Sequence, residues 1–177
     1  MNTIDYFIGP AKVLNGRMEQ LTAGITPAMA ARKPHFERAG KPVTVDCNHA
    51  TFLYGHLAIY PAKMLERCGL DTAGIAVSPE WEALFKAGAP CLDDPDGTIY
   101  PAFEAVKTHY FHATTTALNN LAGVPDSTLQ QPPAEERLRA RFPTIGSMIN
   151  FLLLGHTSMH LGQLSTWRRC MGLASVE

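Results

Sequence analysis

Apolar residues recur at steps of three and four in four long stretches of the chain, and segments rich in Gly and Pro separate them. In the first, about residues 3–22, Ile4, Phe7, Ile8, Val13, Leu14, Met18 and Leu21 mark one side of an amphipathic helix. Gly9-Pro10 predicts a kink there, or a helix that begins at Pro10. The second stretch covers about residues 46–68, with Asp46 as its N-cap and Gly69 just past its last turn. Its apolar side carries Phe52, Leu53, Tyr60 and Met64, and Pro61 predicts a kink or an end to its first half. In the third, about residues 100–121, Phe103, Val106, Tyr110, Thr114 and Leu118 share a face. The fourth runs over about residues 144–170, capped by Thr144 and ended by Gly172, with Arg168 and Arg169 in the last turn, where cations favour the helix dipole.

The intervening segments 24–45 and 122–143 read as Pro-containing connectors, the latter with a helical turn at 134–139. Segment 70–99 reads as a long connection holding one short helix, 79–86, capped by Ser78. No alternating β pattern of useful length, no Gly-rich phosphate loop and no internal repeat occurs. The pattern predicts an all-α protein, a four-helix bundle forming one domain over residues 1–177.

Charge narrows the function classes. Fifteen Lys and Arg nearly cancel sixteen Asp and Glu, which argues against a nucleic-acid partner. No basic segment leads into an apolar run at the N-terminus, and no long uncharged apolar run follows, so neither a secretory leader nor a membrane partner is expected. A cytoplasmic protein is the expectation. The four cysteines at 47, 68, 91 and 170 form no C-x-x-C pair, which excludes a zinc ribbon and fits reduced thiols. Asp93, Asp94, Asp96 and Gly97 mark a turn; as a calcium loop its first and twelfth ligand positions would fall on Leu92 and Phe103, so a solvated acidic turn is expected.

Seven histidines carry the candidate chemistry. His156 and His160 stand four apart on the apolar side of the fourth stretch, where two imidazoles can reach one divalent ion. Thr157 follows His156 where a metalloprotease helix carries Glu, which disfavours that chemistry. His56 shares a face with Phe52, Leu53, Tyr60 and Met64, and so looks inward from the second stretch. Together the three histidines predict a site with open coordination positions, the pattern of catalytic rather than structural metals. Gly55 and Gly155 each precede a candidate ligand, and small residues there would let helices approach closely around an ion. His49, one helical heptad before His56, is a candidate for lining the entrance, as is Tyr60; Gln163, one turn past His160, is a candidate for orienting a ligand or substrate. Cys47 is a weaker candidate as a soft ligand. His35, His109 and His112 are expected to play no ligand role.

At these residues the chain resembles the DinB-like family. His156-Thr-Ser-Met-His160-Leu-Gly162-Gln163-Leu164 is similar to that family's last-helix motif, and Tyr54-Gly55-His56-Leu57-Ala58 to its second-helix motif. The resemblance implies a bundle in up-down-down-up order and a divalent metal, nickel or zinc, held by His56, His156 and His160. Leu161 departs from the motif, replacing a charged or polar residue at a position that should point away from the metal. Such an ion can lower the pKa of water or a thiol and polarise a carbonyl. The resemblance therefore implies a metal-dependent S-transferase or hydrolase acting on a small-molecule substrate, the former with a low-molecular-weight thiol. The competing expectation is a non-catalytic metal- or ligand-binding stress-response bundle whose surplus apolar surface forms a homodimer face. No carboxylate is identified as a general base, so the catalytic residues remain unassigned.

Overall fold

The first amphipathic stretch forms helix α1, Asp5–Gln20, in a computed structural model that describes residues 2–176. Pro10 lies inside α1 and neither starts nor ends it. Gly9 and Pro10 are both exposed, so the carbonyl that Pro10 leaves unpaired can turn to water.

The connector after α1 holds a short helix, α2, Pro27–Ala30, and then a hairpin that the apolar pattern did not predict. Strands β1, His35–Arg38, and β2, Lys41–Thr44, pair antiparallel with His35 opposite Thr44 and Arg38 opposite Lys41. Almost every residue in it is exposed, so no inward-outward alternation marks it. Its turn residues Ala39 and Gly40 both have positive φ, 52° and 73°. Such a two-residue turn usually carries Asn-Gly, and Ala in its first place hides the signal.

The second stretch is divided. Helix α3, Ala50–Leu57, stops at Ala58-Ile59, and α4, Tyr60–Arg67, restarts with Pro61 in its first turn, where the missing N–H costs no helical bond. The cap is His49 rather than Asp46. His49 Nδ1 accepts from the Phe52 N–H, while Asp46 points to solvent and meets Lys33 Nζ at 2.7 Å. Helix α5, Pro79–Phe85, is capped by Ser78 as expected, and α6, Phe103–Leu121, is the longest helix. Two short turns follow, α7, Asp126–Leu129, and α8, Glu136–Arg139.

The fourth stretch is not one uniform α-helix. Helix α9, Ile145–Asn150, opens with a reciprocal cap between Thr144 and Ser147. It passes into a π-helical segment, Phe151–His156, and then into α10, Thr157–Cys170. The Thr157 hydroxyl donates to the Leu152 carbonyl five residues back, at 3.0 Å. The wider turn ends at His156, consistent with the association of π segments with functional sites.

The described residues are thus mostly helical, and their buried side chains fall into two clusters. One gathers Met18, Leu53, Tyr54, Phe85, Tyr110 and Trp167, and the other Ile8, Leu65, Leu118, Leu121, Ile149 and Leu153. Along α1 and along α9–α10 the chain runs from the second cluster to the first. Along α3–α4 and along α6 it runs from the first to the second. Polar ties join the elements around the first cluster. The Tyr54 hydroxyl donates to the Met18 carbonyl at 2.6 Å, and Trp167 Nε1 donates to the Arg32 carbonyl at 2.9 Å. The buried Arg168 guanidinium donates to the carbonyls of Leu21 and Ala23. No helix among the described residues is long and apolar enough to cross a membrane.

Candidate metal centre

His56, His156 and His160 converge at the level where the two clusters meet, and all three are buried. His156 Nε2 lies 3.1 Å from His56 Nε2 and 3.0 Å from His160 Nε2. Imidazole ligands at ~2.0–2.1 Å from a tetrahedral ion stand roughly 3.3 Å apart, so His156 stands at nearly that spacing from each of the other two, and all three ligand atoms lie within 4.8 Å of one another. Among the described residues no Asp, Glu or Cys joins the group.

The far side of each ring decides where its lone pair points. His56 Nδ1 donates to the Phe85 carbonyl at 2.7 Å, which fixes the proton on Nδ1 and the lone pair on Nε2. His160 Nδ1 donates to Gln163 Oε1 at 2.8 Å, with the same result. These are the supports that metal-ligating histidines use to hold ring and tautomer. Burial pushes the pKa of His156 down to about 3, helped by His160 and His56, and that of His160 down to about 4; burial lowers that of His56 as well. The rings are therefore neutral at neutral pH, the form that binds a divalent ion. The triad could hold a metal ion.

The Tyr60 ring packs against both His156 and His56, and its hydroxyl donates to His56 Nε2 at 3.3 Å. Burial raises its pKa, so it stays a donor. Gln163 both supports His160 and lines a cleft of about 820 Å³ with Asn48, Cys47 and Thr166. His49 differs from expectation. It is fully buried with both ring nitrogens engaged, one by the Phe52 N–H and the other on the Leu92 carbonyl at 3.0 Å, so it caps α3 and has no nitrogen left for a ligand. Cys47 stands apart from the triad, and burial raises its thiol pKa. His35 pairs with Asp93, and His109 packs on Trp81. Leu161 packs against the first core cluster.

The two glycines serve other contacts than a close approach across an ion. A Cβ on Gly55 would stand 2.5 Å from the ring of Phe85, so only glycine lets α5 seat there. A Cβ on Gly155 would meet the Phe151 ring of its own helix at 3.2 Å. Sequence reasoning missed α5 as part of the site. Trp81 Nε1 donates to the Gly55 carbonyl at 3.1 Å, and the Phe85 carbonyl holds His56. The one available signal was the glycine beside His56, which marks a neighbour pressed close to α3.

The acidic turn also has a structural explanation. Asp94 is buried and accepts the backbone N–H groups of Thr98, Ile99 and Tyr100, while Asp93 pairs with Arg32. No family model matches the chain, and no curated protein matches it.

Proposed function

We propose that this protein is a divalent-metal-dependent enzyme of the DinB-like kind, folded as a four-helix bundle in up-down-down-up order. The observation that carries the reading is the convergence of three neutral imidazoles, with the Nε2 atoms of His56 and His160 each within 3.1 Å of His156 Nε2 and the tautomers of those two fixed from behind. The bundle order is supported by the opposite directions in which α1 and α9–α10, against α3–α4 and α6, traverse the two core clusters.

His56, His156 and His160 would hold the ion, and a three-imidazole set suits nickel or zinc. When bound, the ion supplies Lewis acidity that lowers the pKa of a water or low-molecular-weight thiol nucleophile and polarises a carbonyl. The protein's own groups do the rest. Tyr60, protonated at neutral pH, has its hydroxyl at the rim of the triad; with the His56 Nε2 lone pair given to the ion, that hydroxyl would be free to donate to a substrate oxygen. Gln163 couples His160 to the neighbouring cleft, whose size suits a small-molecule substrate. Burial pushes the pKa of the half-buried Cys68 thiol and of the buried Cys91 thiol up to about 11, which argues for an external rather than a protein thiol.

Elemental analysis of protein purified without added metal tests this directly. One divalent ion per chain is expected, lost in the variant H56A/H156A/H160A. The loaded protein is then assayed for hydrolysis of activated esters and for conjugation of small thiols to an electrophilic bimane. A triple variant that keeps full metal stoichiometry refutes the site, and loaded protein inactive in both assays leaves it as non-catalytic metal binding.

A further inference from the structure

Two of the three proposed ligands have a visible support behind the ring, and the third does not. His156 Nδ1 is buried and makes no hydrogen bond. His156 borders a cavity of about 20 Å³ lined also by residues of α1, α4 and α6. Two more buried polar atoms, Asn15 Oδ1 and Thr114 Oγ1, belong to residues lining the same cavity; the first has no partner and the second none beyond the adjacent Tyr110 hydroxyl. Each interrupts an otherwise apolar stripe where the core clusters meet, Asn15 between Ala11 and Met18 and Thr114 between Tyr110 and Ala117. The Tyr110 hydroxyl stands beside Thr114 in the same wall.

We propose that this cavity is a hydration site in which one ordered water, held by Asn15 and Thr114, supports His156 from behind. A buried water needs ~10–15 Å³ and two to four polar partners, so the space fits one molecule and leaves no room for a second. The hydrogen bonding closes with correct polarity. His156 Nδ1–H and the Thr114 hydroxyl donate to the water, and the water donates to Asn15 Oδ1. This places the His156 lone pair on Nε2, facing His56 and His160. Asn15 and Thr114 are thereby positioning residues on helices that supply no ligand. The coupling to metal affinity rests on the reading of the triad as a metal site; the water itself does not.

A crystal structure of the wild-type protein at better than ~1.5 Å, zinc titration, and nitrogen-15 NMR of the imidazoles test the proposal together. Density for one water within hydrogen-bond distance of all three side chains is expected. Asn15→Leu and the near-isosteric Thr114→Val should weaken zinc binding roughly 10–100-fold, the scale for lost outer-shell support. Both should disturb the Nδ1–H signal of His156 and spare that of His56. Asn15→Asp, which keeps an acceptor, should restore affinity. An empty cavity, or Thr114→Val with wild-type affinity and an unchanged His156 signal, overturns the proposal. Should the wild-type protein take up no zinc, the enzyme reading fails, and the density alone decides the hydration site, a water supporting it and an empty cavity refuting it.

Discussion

The Phe85 carbonyl accepts a hydrogen bond from His56 Nδ1 at 2.7 Å, and the ring of the same Phe85 occupies the space where a side chain on Gly55 would stand. One residue of a short peripheral helix thus sets the tautomer of a proposed ligand and requires glycine beside it.

Gly55→Ala would drive a methyl group to 2.5 Å from the Phe85 ring, so α5 must shift. Overpacking of this kind costs about 1–3 kcal/mol. Loss of the Phe85 carbonyl should also weaken zinc binding roughly 10–100-fold. Phe85→Leu in the same chain, which frees the space, should recover part of both losses. Urea unfolding and zinc titration measure the two quantities, and a Gly55→Ala protein matching wild type in both would contradict the packing argument.

Gln163 gives a cleaner separation of binding from stability, because the residue is exposed while its Oε1 holds His160 Nδ1 at 2.8 Å. Gln163→Leu should lower zinc affinity at least about tenfold and change the unfolding free energy by less than about 0.5 kcal/mol. Gln163→Glu puts a carboxylate behind the ring, raises its basicity and should bind zinc at least as tightly as wild type. Equal affinity for the Leu and wild-type proteins would remove Gln163 from the site.

The three histidines were legible in the sequence because helical spacing settles which residues share a face. His156 and His160 lie one turn apart, and His56 falls on the stripe of Phe52 and Leu53. What supports them was not legible, for physical reasons. Phe85 acts through a backbone carbonyl, and every residue has one, so no side-chain pattern could single it out. The π segment changes the phase of Phe151–His156 without an unusual residue to announce it. The hairpin at His35–Thr44 is exposed at every strand residue but the half-buried Val43, so it has no hydrophobic period. His49 misled for a related reason. Its position on the helix repeat suggested the cavity, but a residue just outside the first turn is free to fold back on the Phe52 N–H. The division of the second stretch was legible, since Pro61 cannot donate back along a continuous helix.

The cap at His49 predicts a pH dependence. Burial pushes its pKa down from 6.5 to about 4, and Nδ1 must keep its lone pair to accept from the Phe52 N–H. The unfolded chain therefore binds a proton that the folded chain refuses. This contribution to stability is fully present above pH 6.5 and is lost as pH falls toward about 4. Asn at position 49 would cap without titrating. In metal-free protein, His49→Asn should reduce the slope of unfolding free energy against pH in that window by up to about 1.4 kcal/mol per pH unit. The triad histidines titrate in the same direction and leave a residual slope. An undiminished slope in the variant would place the His49 proton elsewhere.

Asp94 holds together the loop that completes this cap. Its carboxylate accepts the N–H groups of Thr98, Ile99 and Tyr100 at 3.0, 3.1 and 3.1 Å. Burial alone would raise its pKa, but those amide groups outweigh burial and hold it below the usual carboxylate range. Tyr100, fixed in this way, stacks on Phe85, meets the His49 ring edge-on and accepts the Leu92 N–H, while the Leu92 carbonyl accepts from His49. Asp94→Ala leaves three backbone donors without their acceptor and should cost at least about 2 kcal/mol. Asp94→Asn keeps one acceptor oxygen, adds a donor among donors and should lie between Ala and wild type. Because the folded pKa is depressed, the wild-type advantage over Asp94→Asn should be full above about pH 4 and shrink as the carboxylate protonates below it. Guanidinium unfolding at pH 7 and pH 3 measures both effects. An Asp94→Ala protein as stable as wild type at pH 7 would show that the turn stands without its carboxylate.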